Sequence, residues 1–227
     1  MTLALKAFTF LVFGAVITAL PLFLAAGTIA WPAGWIYLIL LYGWLLIGIL
    51  LLLKYNPGLL AERINISPPN QKVWDKMFVL LLNVFFFAWV ILMPLDAVRF
   101  HWSRMPLWLQ VVGGIALVVS FVLMSLTFRE NSYLSAVVRV QEERGQTVIS
   151  TGPYHLVRHP MYAGGLFMFL GTPLLLGSWY GLLLLVVLFL PALFVRIVLE
   201  ERTLRQELSG YEDYMKQVKY RLVPYIW

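Results

Sequence analysis

Five apolar blocks, each long enough to cross about 30 Å of hydrocarbon as a helix, constrain this 227-residue chain more than any other feature. They lie near Leu5–Gly27, Gly34–Leu53, Met77–Leu95, Leu107–Phe128 and Met161–Leu199. Only 12% of residues are charged, about half the share of an ordinary soluble domain, which is too few to build a wetted surface. The chain reads as an integral membrane protein. The first block, Ala7 to Ala26, is too long for the apolar part of a secretory signal and is followed by more spans, so it reads as a retained span.

The last block is about twice the length that one crossing needs. It is interrupted at Gly177-Ser178, with Trp179 and Tyr180 beside the break as interfacial aromatics, which predicts a helical hairpin. The expected fold is therefore an all-α integral membrane protein with about six membrane-embedded helices, the last two a hairpin, and an amphipathic tail. Fourteen of the seventeen Lys and Arg residues fall at the N-terminus, in the 54–76 and 129–160 loops, and in the tail. Arg99 and Arg104 lie on the opposite side, and Arg196 lies inside the last helix. The positive-inside bias then puts both termini and the long loop in the cytoplasm, and the compact size suits a prokaryotic plasma membrane. The same bias accounts for a net charge of +6 without nucleic acid; membrane lipids are the expected partners of the basic loops.

The 54–76 loop carries three prolines, and the tail reads as helix through Leu204 and Leu208, a break at Ser209-Gly210, and helix again through Tyr211, Tyr214 and Val218. The amphipathic tail is expected to fold back along the membrane surface. Two units follow: residues 1–105, the N-terminal helices and loops, and residues 106–227, the fourth span, connector, hairpin and tail. There are no cysteines, which excludes disulfides and thiolate chemistry, and no metal-ligand or nucleotide-binding spacing, so no metal and no nucleic acid are expected.

Two places break the apolar pattern. Arg196 lies in an apolar helix with Glu200 on the same face at i, i+4 and Glu201 about a quarter turn away. A buried arginine either faces a polar cavity or snorkels while pairing with Glu200, and spacing alone leaves both open. The second place is "STGPYHLVRHPMYAGG", residues 150–165. Gly152-Pro153 marks a turn, and Pro160 suits the first position of a helix because its missing N–H has no partner there. The N–H groups near Met161 and Tyr162 would then face the cytoplasm, where they favour the negative part of a ligand. A plain basic anchor of the span is the simpler alternative.

"GPYHLVRHPMYAGG", a hairpin, "EERTL" and "YEDYMKQVKYRLVP" together resemble the C-terminal core of the integral-membrane isoprenylcysteine carboxyl methyltransferases and their phospholipid methyltransferase relatives. The resemblance covers about Gln141 to Pro224 and implies S-adenosylmethionine as cofactor. It implies that Gln141 and the run Gln146-Thr147-Val148-Ile149 line the adenosine pocket, continued by Tyr154 and His159-Pro160-Met161-Tyr162. Glu200 or Glu201 would hold the ribose or amino group, and Arg196 would be the catalytic residue that orients the acceptor. A sulfonium methyl is already activated, so alignment and exclusion of water suffice. A carboxylate acceptor needs no base and suits an arginine able to grip it bidentately. That reasoning favours a lipophilic acid of isoprenylcysteine type arriving from the bilayer, with a phospholipid amine as the alternative. Membrane sterol reductases, which use NADPH, resemble the same core but show Arg-His-x-Asn-Tyr where this chain has Arg-His-Pro-Met-Tyr. A scaffold or transporter is the non-catalytic alternative, and no internal repeat supports it.

Overall fold

The computed structural model describes residues 1–65 and 71–227; Pro68 and Pro69 of the proline-bearing loop lie outside the described residues. Among the described residues the regular structure is entirely helical. Helices α1 (Leu3–Ala26) and α2 (Pro32–Tyr55) are followed by the short α3 (Pro57–Arg63) and by α4 (Val73–Pro94), which ends in a π-helical turn at Leu95–Arg99. Then come α5 (Leu107–Glu130), α6 (Pro160–Leu176), α7 (Trp179–Leu184) and α8 (Leu190–Glu207), the last two joined by a π-helical turn at Leu185–Phe189. The tail adds α9 (Tyr211–Gln217).

Among the described residues, five helical stretches are long and apolar enough to cross a membrane: Leu3–Ala26, Pro32–Tyr55, Val73–Arg99, Leu107–Glu130 and Trp179–Glu207. A shorter apolar helix, Pro160–Leu176, has 17 residues and is about 26 Å long, slightly less than the hydrocarbon thickness. The fold is that of a multi-pass membrane protein. Large apolar side chains such as Phe13, Leu24, Ile39, Leu81 and Val111 are exposed along these helices, as lipid contact requires.

The hairpin turns where the sequence places it. Gly177 closes α6 in the left-handed region at φ +84°, and Ser178 caps α7 by accepting from the Gly181 N–H through Oγ. Buried Asp96, from the π-helical turn after α4, accepts from Ser103 Oγ and Ser178 Oγ, each at 2.6 Å, which ties the hairpin turn to the end of α4. Helices α5 and α6 pack most closely of all. A Cβ on Gly113 would come within 2.4 Å of the Leu175 backbone nitrogen, and one on Gly171 within 2.7 Å of the Gly113 carbonyl. In lipid, where tails are as apolar as leucine, small residues that let backbones approach are what hold such a pair. Ser120 adds a hydrogen bond from Oγ to the Gly164 carbonyl at 2.7 Å.

The tail breaks at Leu208–Gly210, with Gly210 at φ +83°. Its apolar face is covered by the connector between α5 and α6: Leu208, Tyr211, Tyr214 and Val218 form one buried cluster with Val140 and Tyr154. Tyr214 Oη donates to the Tyr154 carbonyl at 2.7 Å. The last residues return to the start of α6, where the N–H groups of Arg158 and His159 donate to the carbonyls of Tyr220 and Arg221, both at 2.9 Å.

Candidate functional site

The connector, the start of α6, the end of α8 and the tail enclose a cleft of about 870 Å³, counting the part open to solvent. Gln146, Thr147, Val148 and Ile149 line it from the connector, with Tyr154 nearby. His159, Pro160, Met161 and Tyr162 line it from α6, Glu200 and Leu204 from α8, and Tyr211 and Tyr214 from the tail. Residues far apart in the chain thus meet at one hollow.

Its floor is the N-terminus of α6. His159 is the N-cap and Pro160 the first helical residue. The Arg158 and His159 N–H groups are taken by the tail, so the first helical N–H groups without an upstream helical acceptor belong to Met161 and Tyr162.

The two glutamates of "EERTL" have different roles in the fold. Glu201 is buried and held on three sides: by Arg158 Nε at 2.7 Å, Arg221 Nε at 2.8 Å and His159 Nε2 at 3.3 Å. It clamps the end of α8 to the start of α6 and to the tail, and it does not line the cleft. Glu200 does, with its side chain 21% exposed. Tyr162 Oη donates to Glu200 Oε2, and His159 Nδ1 lies 4.0 Å from Glu200 Oε1.

Arg196 has a different partner from the one expected. Its guanidinium does not bond Glu200 directly; Nη1 lies 2.9 Å from Asp75 Oδ1 in the first turn of α4. Nε donates to Tyr162 Oη at 2.8 Å, Nη2 donates to the Ala136 carbonyl at 3.3 Å, and the group stacks 4.6 Å from the Phe78 ring. Arg196 reaches Glu200 only through the Tyr162 hydroxyl. The reason is packing: α4 carries a fully buried carboxylate across the bundle to the same spot.

Gln141 is also corrected. It is fully buried and stands behind the cleft wall instead of in it. Its Nε2 donates to the Tyr133 carbonyl at 2.5 Å, its Oε1 accepts from Arg144 Nη1 at 2.6 Å, and its backbone N–H donates to Gln146 Oε1 at 2.8 Å. Fully buried and with both ends of its amide engaged, the side chain shapes the connector.

Several residues of the site carry no readable signal in the sequence. Asp75 looks like one more loop charge at the foot of a span. Arg139 borders the cleft, but its guanidinium is taken up by Glu62, through Nε at 3.1 Å and Nη2 at 2.9 Å, and by Glu143 at 2.8 Å. Burial opposes ionisation of Glu62, yet hydrogen bonds from Arg139 and Ser135 hold its carboxyl below the ordinary value. Tyr154 accepts from Asn131 Nδ2 at 2.8 Å. Tyr211 is only 4% exposed, and its hydroxyl has no hydrogen-bond partner among the described residues. Burial raises the Tyr154 and Tyr211 hydroxyls well above their ordinary value, so both stay protonated.

Residues 108–209 match the family model described as phospholipid methyltransferase. Over 106 residues the chain is 30% identical to the Delta(14)-sterol reductase TM7SF2 of Mus musculus, an alignment that covers 44% of this chain and 25% of that protein. The chain thus matches about a quarter of the length of that curated relative. The matched family segment contains α6, α7, α8 and the whole connector, and so supplies most of the cleft. Residues 108–209 of this membrane protein are thus similar to the phospholipid methyltransferase family.

Proposed function

We propose that the protein is an S-adenosylmethionine-dependent methyltransferase of the membrane, that its cleft takes the cofactor from the aqueous side, and that a lipophilic acceptor enters between helices from the bilayer. In this reading residues 106–227 are the catalytic core and residues 1–105 support it. The short α6 counts as a sixth embedded helix, and both termini and the tail are cytoplasmic. The observation that carries the reading is the convergence of residues 146–149, the free N–H end of α6 and the Glu200 carboxylate on one hollow at the end of apolar helices.

The residues present suit the cofactor. Val148, Ile149, Leu204 and Leu208 offer apolar walls for a purine. Glu200 matches a ribose diol, an amino group or a positively charged sulfur, and the N–H groups of Met161 and Tyr162 match a carboxylate. The Tyr211 hydroxyl, buried without a partner among the described residues, is a donor that a ligand would satisfy. When bound, the cofactor supplies a methyl on sulfonium: the acceptor's lone pair forms the new bond as the C–S bond breaks and its electron pair remains on sulfur.

The acceptor most consistent with the geometry is an amine-bearing phospholipid. A carboxylate of isoprenylcysteine type, the acceptor expected from the sequence, would need the Arg196 guanidinium, and Asp75 already neutralises it. An amine must shed a proton before attack, and Glu200 and His159 are the groups on the cleft wall placed to take it. Incubating the full chain in nanodiscs with methyl-labelled cofactor should label phosphatidylethanolamine. Label appearing instead in a farnesylcysteine acid would reinstate the carboxylate acceptor.

The similarity to the sterol reductase favours a second reading, an NADPH-dependent reductase built on the same core. Calorimetry separates the two: binding of NADPH with no binding of S-adenosylhomocysteine would reverse their order.

A further inference from the structure

We infer that Asp75 is a specificity-determining residue: by holding Arg196 in a buried ion pair, it selects acceptors with an amine head over acceptors with a carboxylate. The inference rests on the methyl-transfer reading above and extends it to a residue outside the family-matched segment.

Asp75 is fully buried at the start of α4. Its Oδ2 accepts from the Val138 N–H at 2.9 Å and from Gln71 Nε2 at 3.0 Å, while Oδ1 lies 2.9 Å from Arg196 Nη1. The carboxylate is therefore positioned by the connector on one side and faces the arginine on the other. From Arg196 a continuous polar path runs through Tyr162 Oη to Glu200, which lines the cleft. In an interior of low dielectric, a unit charge at one end of such a path is felt at the other. With Asp75 ionised, the guanidinium charge is cancelled at its source, and Glu200 presents a carboxylate toward the reacting groups. Without it, the uncompensated guanidinium would repel an ammonium and attract an acid.

The test uses the full chain in nanodiscs, methyl-labelled cofactor, and two competing acceptors, phosphatidylethanolamine and N-acetyl-S-farnesylcysteine. Asp75→Asn removes the charge and keeps the shape. It should raise the acid-to-amine product ratio roughly tenfold, with S-adenosylhomocysteine affinity changed by less than about threefold. Adding Arg196→Met to Asp75→Asn removes both charges and should return the ratio toward that of the unsubstituted protein. If Asp75→Asn does not fold, Arg196→Met alone provides the test, since it leaves Asp75 in place and should lower the acid-to-amine ratio. Equal loss on both acceptors, with the ratio unmoved in every variant that folds, would reduce Asp75 to a structural part and overturn the inference while leaving methyl transfer intact. No labelled product from the unsubstituted protein with either acceptor would instead remove the methyl-transfer reading, and this inference with it.

Discussion

Arg158 and Glu201, 43 residues apart, form a buried ion pair at 2.7 Å that joins the start of α6 to the end of α8. Arg158 also donates from Nη1 to the carbonyls of Val218 and Lys219, both at 2.8 Å, so the same guanidinium anchors the tail. The pair is the keystone of the cleft's frame: Arg158 borders the cleft, and Glu201 stands behind it. Removing one partner of a buried pair leaves the other charge unpaired, at a cost of about 3–5 kcal/mol. Glu201→Gln should therefore lower the thermal unfolding midpoint in detergent markedly, with a parallel loss of cofactor binding as the tail detaches. An unchanged midpoint would remove the clamp from the account.

Glu200→Gln should behave in the opposite manner. The side chain is partly exposed, lines the cleft and accepts a hydrogen bond from Tyr162 Oη, so stability should hardly move. S-adenosylhomocysteine affinity, measured by calorimetry, should fall roughly tenfold or more, as expected for loss of a charge-assisted hydrogen bond. Similar effects from Glu200→Gln and Glu201→Gln would mean that the division of labour between them is wrong.

The Tyr211 hydroxyl offers a cleaner separation of binding from folding. It is buried with no partner among the described residues, and such a group costs about 1–3 kcal/mol. Tyr211→Phe should leave the ligand-free protein equally stable or more stable, while weakening S-adenosylhomocysteine binding. Lower stability with unchanged affinity would show that the hydroxyl serves the fold.

The close approach of α5 and α6 predicts a sharp contrast between glycines. At Gly113 a Cβ would meet backbone atoms at 2.4 and 2.7 Å, so Gly113→Ala should force the helices apart and cost about 1–3 kcal/mol. At Gly165 a Cβ would meet nothing within 4 Å, and Gly165→Ala should be neutral or slightly stabilising. Thermal unfolding of the two variants side by side checks this.

Acid should weaken the outer wall of the cleft through Glu62. Its carboxyl is held below the ordinary value of 4.5 by Arg139 and Ser135 against the effect of burial. A group lowered in the folded state contributes stability that is complete above the unfolded value and is lost as pH falls through the folded one. The unfolding midpoint should thus decline as pH drops below about 4.5, and Glu62→Gln should be less stable at neutral pH with a flatter acid slope. A slope unaffected by the substitution would place the acid sensitivity elsewhere.

Much of this architecture is legible locally. The apolar blocks near Leu5–Gly27, Gly34–Leu53, Met77–Leu95 and Leu107–Phe128 coincide with α1, α2, α4 and α5 within a few residues, because lipid demands a continuous run of apolar side chains. Pro160 at the head of α6, the turn at Gly177-Ser178 and the tail break near Gly210 follow from backbone chemistry that those residues impose wherever they stand.

The inside of the site was decided by the tertiary structure. Adjacent residues on a helix point about 100° apart, so which of Glu200 and Glu201 faces the cleft depends on how α8 is rotated against its neighbours. Spacing put Glu200 on the Arg196 face, but it could not supply Asp75, more than a hundred residues upstream and brought to Arg196 only by the packing of α4. Gln141 stands at the position that the resemblance assigns to the cofactor wall, yet the folding of the connector turns it inward to bond Tyr133 and Arg144. Sequence alone determined the helices and their breaks, because those depend on neighbouring residues and on the solvent around them. Which charges pair and which face the cleft depended on contacts between distant segments, and those exist only once the helices have packed.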